Sequence, residues 1–320
     1  MRLVPPRDPR AGCCDQIVAK RWAAAGVMSL FLPLLGCVLL VACAGCDASA
    51  TGAGGSQAII RVEGSDTMVN IAQAWAERYH FENPHISVQV LGGGSGVGIA
   101  SLTDGNCDLA NSSRDIHENE IAAIHAKRGE DPVEHIVGYD ALAVYVHPDN
   151  PLESISLEEL AEIYGEGGTV EHWSQLGVHH SRRGRDPIVR IGRQNSSGTY
   201  SFFREKVLGK QRDFKLGSVD RSGSKDVVAL VSRTPLAIGY SGMGYAMPGV
   251  KMLAVSERRG GPAVEPRRER AQDFTYLLTR GLQVYTVGEP SGPPADFMAW
   301  MVSPKGQAIV AELGYVPRRE

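Results

Sequence analysis

The sequence has 320 residues, of which 43% are hydrophobic and 22% are charged, and its formal net charge is −3. This is the composition of a globular protein, and the length is sufficient for two domains of moderate size. The slightly negative net charge argues against a nucleic-acid-binding protein, which needs a basic face. It does not argue against a site for a small anion, because local groups hold such a ligand.

The N-terminal segment has the pattern of a secretion signal. A basic stretch over residues 2–21 precedes an apolar stretch over residues 22–41, and this order is typical of a signal peptide. The apolar stretch ends in Leu40-Val-Ala-Cys43, which resembles the lipobox of bacterial lipoproteins. We therefore predict a lipoprotein signal at residues 1–42, lipidation of Cys43, and a membrane-anchored location in the periplasm or at the cell surface.

Two alternatives to this N-terminal prediction stay open. One is cleavage before Cys46, although position −3 is then Cys43 rather than a leucine. The other is an uncleaved anchor, because about 20 apolar residues can span a bilayer. The residues that follow, 43–57, are rich in Ala, Ser, Thr and Gly and predict a flexible tether.

The cysteines and histidines give no indication of a metal site. Cys107 precedes an apolar segment, and we predict a small buried residue there rather than a disulfide with Cys46. His179 and His180 lie in a polar loop, which favours simple solvation. We predict no metal and no cofactor.

The first predicted strand, at residues 58–62, leads through a polar loop into a helix at residues 69–81 with apolar residues on one side. The loop contains Ser65, Asp66 and Thr67, three residues of the type that caps helix N-termini. One cap needs only one such residue, so the loop has polar side chains left for a ligand.

A glycine-rich loop, Leu91-Gly-Gly-Gly-Ser-Gly-Val-Gly98, lies between an alternating strand at residues 86–90 and a helix predicted at residues 97–102. Backbone N–H groups at a helix N-terminus favour an anion, and Ser95 adds a hydroxyl. The spacing does not fit a dinucleotide loop, a nucleophile elbow or a nucleotide P-loop, because the required glycine or Gly-Lys-Ser/Thr is missing. Taken alone, this loop fits either an anion cradle or a flexible linker.

Two further strand-to-helix junctions carry the same kind of residues. One joins a short strand at residues 108–110 to a helix at residues 116–127, and the other joins a strand at residues 188–193 to a helix at residues 200–208. Their polar and glycine residues are Ser113, Arg114, Arg193, Ser197, Gly198 and Thr199. In an open α/β sheet such loops gather at the carboxyl ends of the strands, where ligands bind. This convergence favours the anion cradle over the linker.

The remaining chain continues the alternation of strands and helices. Further strands are predicted at residues 136–147, 237–241 and 282–286, and further helices at residues 157–164, 224–232, 294–301 and 304–313. Ser156 begins a capping box, and Ser303 caps a helix with proline at its first position.

The polar groups of the four junctions are mostly hydrogen-bond donors. Hydroxyls, helix N-terminal amides and guanidinium groups suit the binding of a tetrahedral oxyanion, and arginine can hold two oxygens of such an anion. No residue has the spacing of an activating base, so a hydrolase that uses Ser95 or Ser197 is a weaker alternative.

Five segments together resemble the phosphate-binding proteins of bacterial Pst ABC transporters. They are Gly64-Ser-Asp-Thr67, the glycine-rich loop, Asp108-Leu-Ala-Asn-Ser-Ser-Arg114, Arg193-Gln-Asn-Ser-Ser-Gly-Thr-Tyr200 and Ala237-Ile-Gly-Tyr-Ser-Gly-Met-Gly-Tyr-Ala246. The end of the chain, residues 297–316, is similar to the end of that family.

The resemblance implies an α/β, type II periplasmic-binding-protein fold with two lobes, each a mixed sheet flanked by helices, joined by a two-strand hinge. Lobe I is expected at residues 58–138 plus 247–320, and lobe II at residues 139–246. The implied ligand is inorganic phosphate, bound by a monomer and delivered to the permease of an ABC importer. By motif, the implied contacts are Thr67, the backbone of Met68, Ser95, Arg193, Ser197, Gly198 and Thr199.

Two departures from the family bear on specificity. Some members have an aspartate where this chain has Ser113, followed by Arg114, and an acid where it has Asn195. That aspartate accepts the proton of phosphate and so helps to reject sulfate, because an unpaired buried polar group is costly. We expect Asp66 to be the acceptor here, with Asp140 as the alternative. Two alternatives remain. The ligand is another oxyanion, such as sulfate or molybdate, or the protein is a phosphate-sensing or adhesion lipoprotein without a transport role.

Overall fold

The computed structural model describes residues 57–179 and 186–319, which belong to one compact unit spanning residues 53–320. The predicted signal segment, the lipidation site Cys43 and the tether up to residue 56 lie outside the described residues, as does His180. Within the described ranges, no helix is both long enough and apolar enough to cross a membrane.

Three strand–loop–helix units build the first part of the fold. They comprise β1 (Ala58–Gly64), α1 (Val69–Glu82), β2 (Ile86–Leu91), α2 (Ser95–Asp104), β3 (Leu109–Ser112) and α3 (Glu118–Arg128). The predicted elements of this part are confirmed, although α2 begins at Ser95 rather than at residue 97.

The rest of the chain adds seven strands and six helices within the described residues. They are β4 (Pro132–Val146), β5 (Ser154–Ser156), α4 (Leu157–Tyr164), β6 (Val189–Arg193), α5 (Gly198–Phe203), β7 (Val219–Arg221), α6 (Ser224–Val231), β8 (Ala237–Gly242), β9 (Lys251–Ser256), α7 (Arg268–Gln272), β10 (Thr279–Val287), α8 (Pro293–Met301) and α9 (Pro304–Glu312). α5 continues into a π-helical turn, Arg204–Leu208. The predicted caps Ser156 and Ser303 are confirmed, since each side chain accepts a hydrogen bond from its helix.

The strands form a mixed sheet in the order β2-β1-β3-β10-β4-β8-β6-β7. β10 is antiparallel to β3 and β4, and β4 is antiparallel to β8. β1–β3 are parallel to one another, and so are β6–β8. These two sets of strands therefore point at each other from opposite sides of the middle of β4. Their carboxyl ends face one another, which is where ligand-binding loops lie in an α/β sheet.

Two hydrophobic cores lie on either side of this middle region. The first contains residues of β1, α1, β10, α8 and α9, among them Trp75 and Phe297. The second contains residues of β4, β6, β8 and α4–α6, among them Trp173 and Phe203. β4 contributes Val137 to the first core and Val144 to the second. A smaller third cluster contains residues of α2, β3, α3 and β10. Two large cores of this kind are the packing expected of two lobes.

The expected return of the chain to the first lobe at residue 247 does not match this packing. Leu253 of β9, and Tyr276 and Leu278 farther along, belong to the second core. β9 lies there because it pairs with the second part of β4. The chain rejoins the first core only with β10, through Leu282.

Candidate anion site

Loops at the carboxyl ends of β1, β2, β3 and β6 meet in the middle of the molecule. They bring together five hydroxyl side chains, each at most 2% exposed. We call this set the hydroxyl cluster, and its members are Ser65, Thr67, Ser95, Ser113 and Thr199. All five are among the residues that the sequence predicts to surround an anion. The fold thus brings buried residues together from four segments that are far apart in the sequence.

Hydrogen bonds join the members of the hydroxyl cluster to one another. Ser65 Oγ donates to Ser113 Oγ at 2.8 Å, and the backbone N–H of Ser113 donates to Ser95 Oγ at 3.1 Å. The hydroxyl oxygens of Thr67 and Thr199 lie 2.8 Å apart. A hydroxyl group both donates and accepts, so each of these groups can turn to donate to an anion placed among them.

The glycine-rich loop holds its backbone against the loop between β6 and α5. Gly93 and Gly94 have φ angles of 130° and 102°, which favour glycine. The N–H of Gly96 donates to Ser196 O at 3.0 Å, and a Cβ at Gly94 would lie 2.5 Å from the same oxygen. The loop is therefore part of the packed site and not a free linker, and α2 begins in it at Ser95.

Gly198 approaches the hydroxyl cluster more closely than a residue with a side chain could. A Cβ at this position would lie 2.2 Å from Ser95 Oγ and 2.7 Å from Ser113 Oγ. The preceding residue, Ser197, caps α5 by accepting a hydrogen bond from the N–H of Thr199 at 3.2 Å. The first turn of α5 is thus fixed directly against two serine hydroxyls.

Asp66 and Arg193, both predicted site residues, form an ion pair next to the hydroxyl cluster. Arg193 Nη2 lies 3.0 Å from Asp66 Oδ2, and the Arg193 side chain is fully buried. Asp66 Oδ1 accepts a hydrogen bond from the N–H of Gly93 at 3.0 Å, and Arg193 also donates to Ser224 Oγ at 2.8 Å. Burial lowers the pKa of Arg193, and the negative charge of Asp66 opposes this.

Two predicted residues form other contacts. The guanidinium group of Arg114 makes a two-pronged ion pair with Glu120 at the start of α3, at 2.8 and 2.6 Å. Burial raises the pKa of Glu120, but the hydrogen bonds from Arg114 and from the backbone N–H of His117, the N-cap of α3, outweigh it, so the net pKa is lowered. The N–H of Met68 donates to Ser65 O at 2.9 Å. The first contact joins the loop after β3 to α3, and the second lies within the loop after β1.

Two tyrosines hold the loop after β1 in place. Tyr245 Oη donates to the backbone oxygen of Asp66 at 2.7 Å, and Tyr315 Oη donates to that of Thr67 at 2.6 Å. Burial raises the pKa of Tyr245 to about 12. Its hydroxyl therefore keeps its proton at neutral pH and remains a donor.

A second buried ion pair lies beside the hydroxyl cluster, between Arg280 of β10 and Asp140 of β4. The residues are directly opposite each other in the sheet, and Arg280 Nη2 lies 2.8 Å from Asp140 Oδ2 with both side chains at most 2% exposed. From the sequence, Asp140 was predicted only as an alternative acceptor, and no pattern singled out Arg280. One pattern could have indicated this pair. Each of the two apolar strands contains a charged residue, and buried charged residues are mostly paired with each other.

The charges around the hydroxyl cluster balance. Arg193 is paired with Asp66, and Arg280 with Asp140. Burial raises the pKa of Asp140, and the charge and hydrogen bonds of Arg280 oppose this. Among the described residues, no group of three or more His, Cys, Asp or Glu side chains could hold a metal ion. The hydroxyl, guanidinium and backbone N–H groups of the site are hydrogen-bond donors, which suits a tetrahedral oxyanion.

Comparison with known proteins agrees with this chemistry. Residues 49–305 match the profile of the PBP superfamily domain. The phosphate-binding protein PstS of Pseudomonas aeruginosa is 34% identical over 264 residues, which cover 79% of this chain and 81% of that protein. PstS of Bacillus subtilis is 30% identical over 271 residues, or 84% of each chain.

Solved structures show the same fold. A crystal structure from Clostridium perfringens with bound phosphate, described as a phosphate ABC transporter substrate-binding protein, has a TM-score of 0.72 and 26% identity. It covers 82% of this chain and 100% of that one. The chain belongs to the PBP superfamily and, within it, to the family of the PstS phosphate-binding proteins, whose type II periplasmic-binding-protein fold it shares.

Proposed function

We propose that this protein is an extracytoplasmic lipoprotein that binds inorganic phosphate between two lobes and delivers it to the permease of an ABC importer. The observation that carries the proposal is the hydroxyl cluster, in which five buried hydroxyl groups from four loops converge. Hydrogen bonds to an anion contribute about 1.5–3 kcal/mol each. A few of them suffice for micromolar or tighter affinity.

The names of the relatives support phosphate as the ligand. The Pseudomonas aeruginosa and Bacillus subtilis proteins are both phosphate-binding proteins by name, and the Clostridium perfringens structure contains phosphate. We extend that ligand, and delivery to an importer, to this chain. The predicted signal and the lipidation of Cys43 belong to the same proposal, because a lipid anchor would keep the binding protein near the permease that it serves.

We propose that the two cores correspond to the two lobes and that β4 and β10 form the hinge. On this division the first lobe contains residues 58–138 and 279–315, and the second contains residues 139–278. The supporting observation is that Leu253 and Tyr276 pack in the second core. The hydroxyl cluster then takes Ser65, Thr67, Ser95 and Ser113 from the first lobe and Thr199 from the second.

Asp66 is our candidate for the acceptor of the phosphate proton. Its two carboxylate oxygens accept hydrogen bonds from Gly93 and Arg193. A carboxylate offers about four lone pairs, so acceptor capacity remains for the ligand. Sulfate has no proton to donate at neutral pH, so its oxygen would face a lone pair of this carboxylate without forming a hydrogen bond.

The site is built to bind its ligand and not to convert it. Each hydroxyl in the hydroxyl cluster has a hydrogen-bond partner among hydroxyl and backbone groups or Arg280, and Asp66 is paired with Arg193. A nucleophilic serine needs an adjacent base within hydrogen-bond reach. This arrangement supports the role of a solute-binding protein.

The proposal is tested on purified protein by measuring the phosphate that is released when the protein is denatured. We expect one phosphate per chain, and after its removal we expect phosphate but not sulfate to raise the melting temperature. A folded protein that releases no phosphate, and whose melting temperature is unchanged by added phosphate, would contradict the proposal.

A further inference from the structure

Arg280 is the arginine that contacts the hydroxyl cluster directly. Its Nη2 donates to Thr67 Oγ1 at 3.2 Å, and its Nη1 donates to the backbone oxygen of Ser113 at 3.2 Å. Arg193, the arginine that the sequence singled out, donates instead to Asp66 and to the loop after β7. By hydrogen bonding, Arg280 is therefore the nearer of the two arginines to the hydroxyl groups.

Arg280 is fixed on several sides. Its Nε and Nη2 donate to Asp140 Oδ2 at 3.1 and 2.8 Å. The ring of Phe202, in the same helix as Thr199, has its centroid 5.5 Å from the guanidinium carbon. Gly242 leaves the space for the Asp140 carboxylate, because a Cβ there would lie 2.9 Å from Oδ2. A guanidinium group held in this way loses little side-chain entropy when it binds a ligand.

The hydrogen bonds of Arg280 leave it able to donate to a ligand. An arginine side chain has five N–H groups. Two are directed to Asp140, one to Thr67 and one to the backbone of Ser113. One N–H group on Nη1 remains, and the long bond to Thr67 can be shared with an anion oxygen that lies next to that hydroxyl.

Two buried arginines, Arg193 and Arg280, place positive charge around the hydroxyl cluster. Burial lowers the pKa of Arg193, Asp66 raises it, and the positive charge of Arg280 lowers it further. Each arginine has a single carboxylate partner, Asp66 or Asp140. A bound oxyanion would attract both positive charges, and a dianion would do so more strongly.

We propose that Arg280 is a second arginine of the anion site, which binds an oxygen of the tetrahedral oxyanion beside Thr67 and Ser113, and that Asp140 positions it. This inference rests on the proposed function, in which the anion is phosphate. It assigns a ligand role to β10, one of the two hinge strands. If Arg280 binds the anion, a hinge strand is in direct contact with the ligand.

The first test is calorimetric titration of phosphate into the full chain and its Arg280→Met and Arg280→Lys variants. We expect Arg280→Met to weaken phosphate binding at least about 30-fold, because it removes charge-assisted hydrogen bonds. Arg280→Lys keeps the charge but loses the planar fork, so an intermediate loss is expected. The matched control is Arg190→Met, which removes another buried arginine that pairs with Glu171 and should leave the phosphate affinity unchanged.

The second test separates positioning from general support of the fold. Asp140→Asn should weaken phosphate binding about 10-fold in the wild-type background. In the Arg280→Met background, the same substitution should cause no further loss of phosphate affinity. A role in folding alone would instead give the same loss in both backgrounds, which would overturn the positioning role. If Arg280→Met does not fold, the Asp140→Asn/Arg280→Met double variant, which has no unpaired buried charge, carries the first test.

The outcomes distinguish this inference from the proposed function. If the wild-type protein binds phosphate and Arg280→Met binds it equally well, the role of Arg280 is overturned and the proposed function stands. If the folded wild-type protein binds no phosphate, the proposed function is overturned, and this inference with it.

Discussion

The hydroxyl groups of Thr67 and Thr199 lie 2.8 Å apart, although the residues are 132 positions apart in the sequence. Thr67 follows β1 in the part of the chain that contributes the first core, and Thr199 belongs to α5, which packs in the second core. A ligand placed at this contact touches both halves of the molecule. Binding there can therefore be coupled to closure of one half on the other.

The first prediction concerns this contact. Thr67→Val and Thr199→Val keep the shape of each side chain but remove its hydroxyl, and each should weaken phosphate binding roughly 10- to 100-fold, the equivalent of one hydrogen bond to a charged ligand. Calorimetry measures the loss. Thr103→Val is the matched control, because the Thr103 hydroxyl only donates to Ile99 O within α2. Equal affinities in all three variants would contradict the assignment of the hydroxyl cluster.

The second prediction concerns the close approach of α5. Gly198→Ala places a Cβ 2.2 Å from Ser95 Oγ, so we expect it to abolish measurable phosphate binding by pushing α5 away from the serines. Gly96→Ala is the control, since the nearest atom to its Cβ would be 3.4 Å away. Titration of both folded variants with phosphate distinguishes them. Retained binding by Gly198→Ala would show that the N-terminus of α5 is not part of the site.

The third prediction concerns the choice between phosphate and sulfate. Asp66→Asn replaces an acceptor by a group that also donates, so the preference for phosphate over sulfate should fall at least about 10-fold. Both anions are titrated into the variant and the wild type. Asp104→Asn, which changes an exposed aspartate paired with Lys127, should keep the wild-type preference. An unchanged preference in Asp66→Asn would exclude Asp66 as the proton acceptor.

The fourth prediction is the pH dependence of the Arg114–Glu120 ion pair. The pKa of Glu120 is lowered from its ordinary value of 4.5. Its contribution to the free energy of unfolding is therefore present above that value and lost as the pH falls through the folded-state pKa. At about pH 7, Glu120→Gln should destabilise the protein by about 1–2 kcal/mol, allowing for partial exposure of the pair.

Urea denaturation at several pH values measures this contribution. The difference between wild type and Glu120→Gln should shrink as the pH falls below the ordinary value of 4.5. Glu118→Gln, an exposed residue in the same first turn, should cost less than about 0.5 kcal/mol at every pH. A difference for Glu120→Gln that does not change with pH would contradict the prediction.

Much of the fold was predictable because its strands and helices have clear periodicity. The four strand-to-helix junctions, the caps Ser156 and Ser303 and the burial of Cys107 followed from local patterns. The strands Ser154–Ser156, Val219–Arg221 and Lys251–Ser256 were not predicted. The first two have only three residues each, and all three segments pair with strands that are distant in the sequence, which local patterns do not show.

The charged part of the site was harder to predict. Arg280 and Asp140 become partners because β10 and β4 pair across the sheet, and nothing in either local sequence specifies that register. Arg114 was expected at the ligand, but Glu120 at the start of α3 binds its guanidinium group. Local patterns identify hydroxyl and glycine loops, whereas the partner of an arginine depends on the tertiary fold.

The central claim is that the hydroxyl cluster is a phosphate site. It is tested most directly by calorimetric titration of phosphate and sulfate into folded protein from which bound ligand has been removed. We predict one site per chain with micromolar or tighter affinity for phosphate and at least about 100-fold weaker binding of sulfate. No heat of binding from phosphate at about 1 mM, with the protein still folded, would contradict the claim.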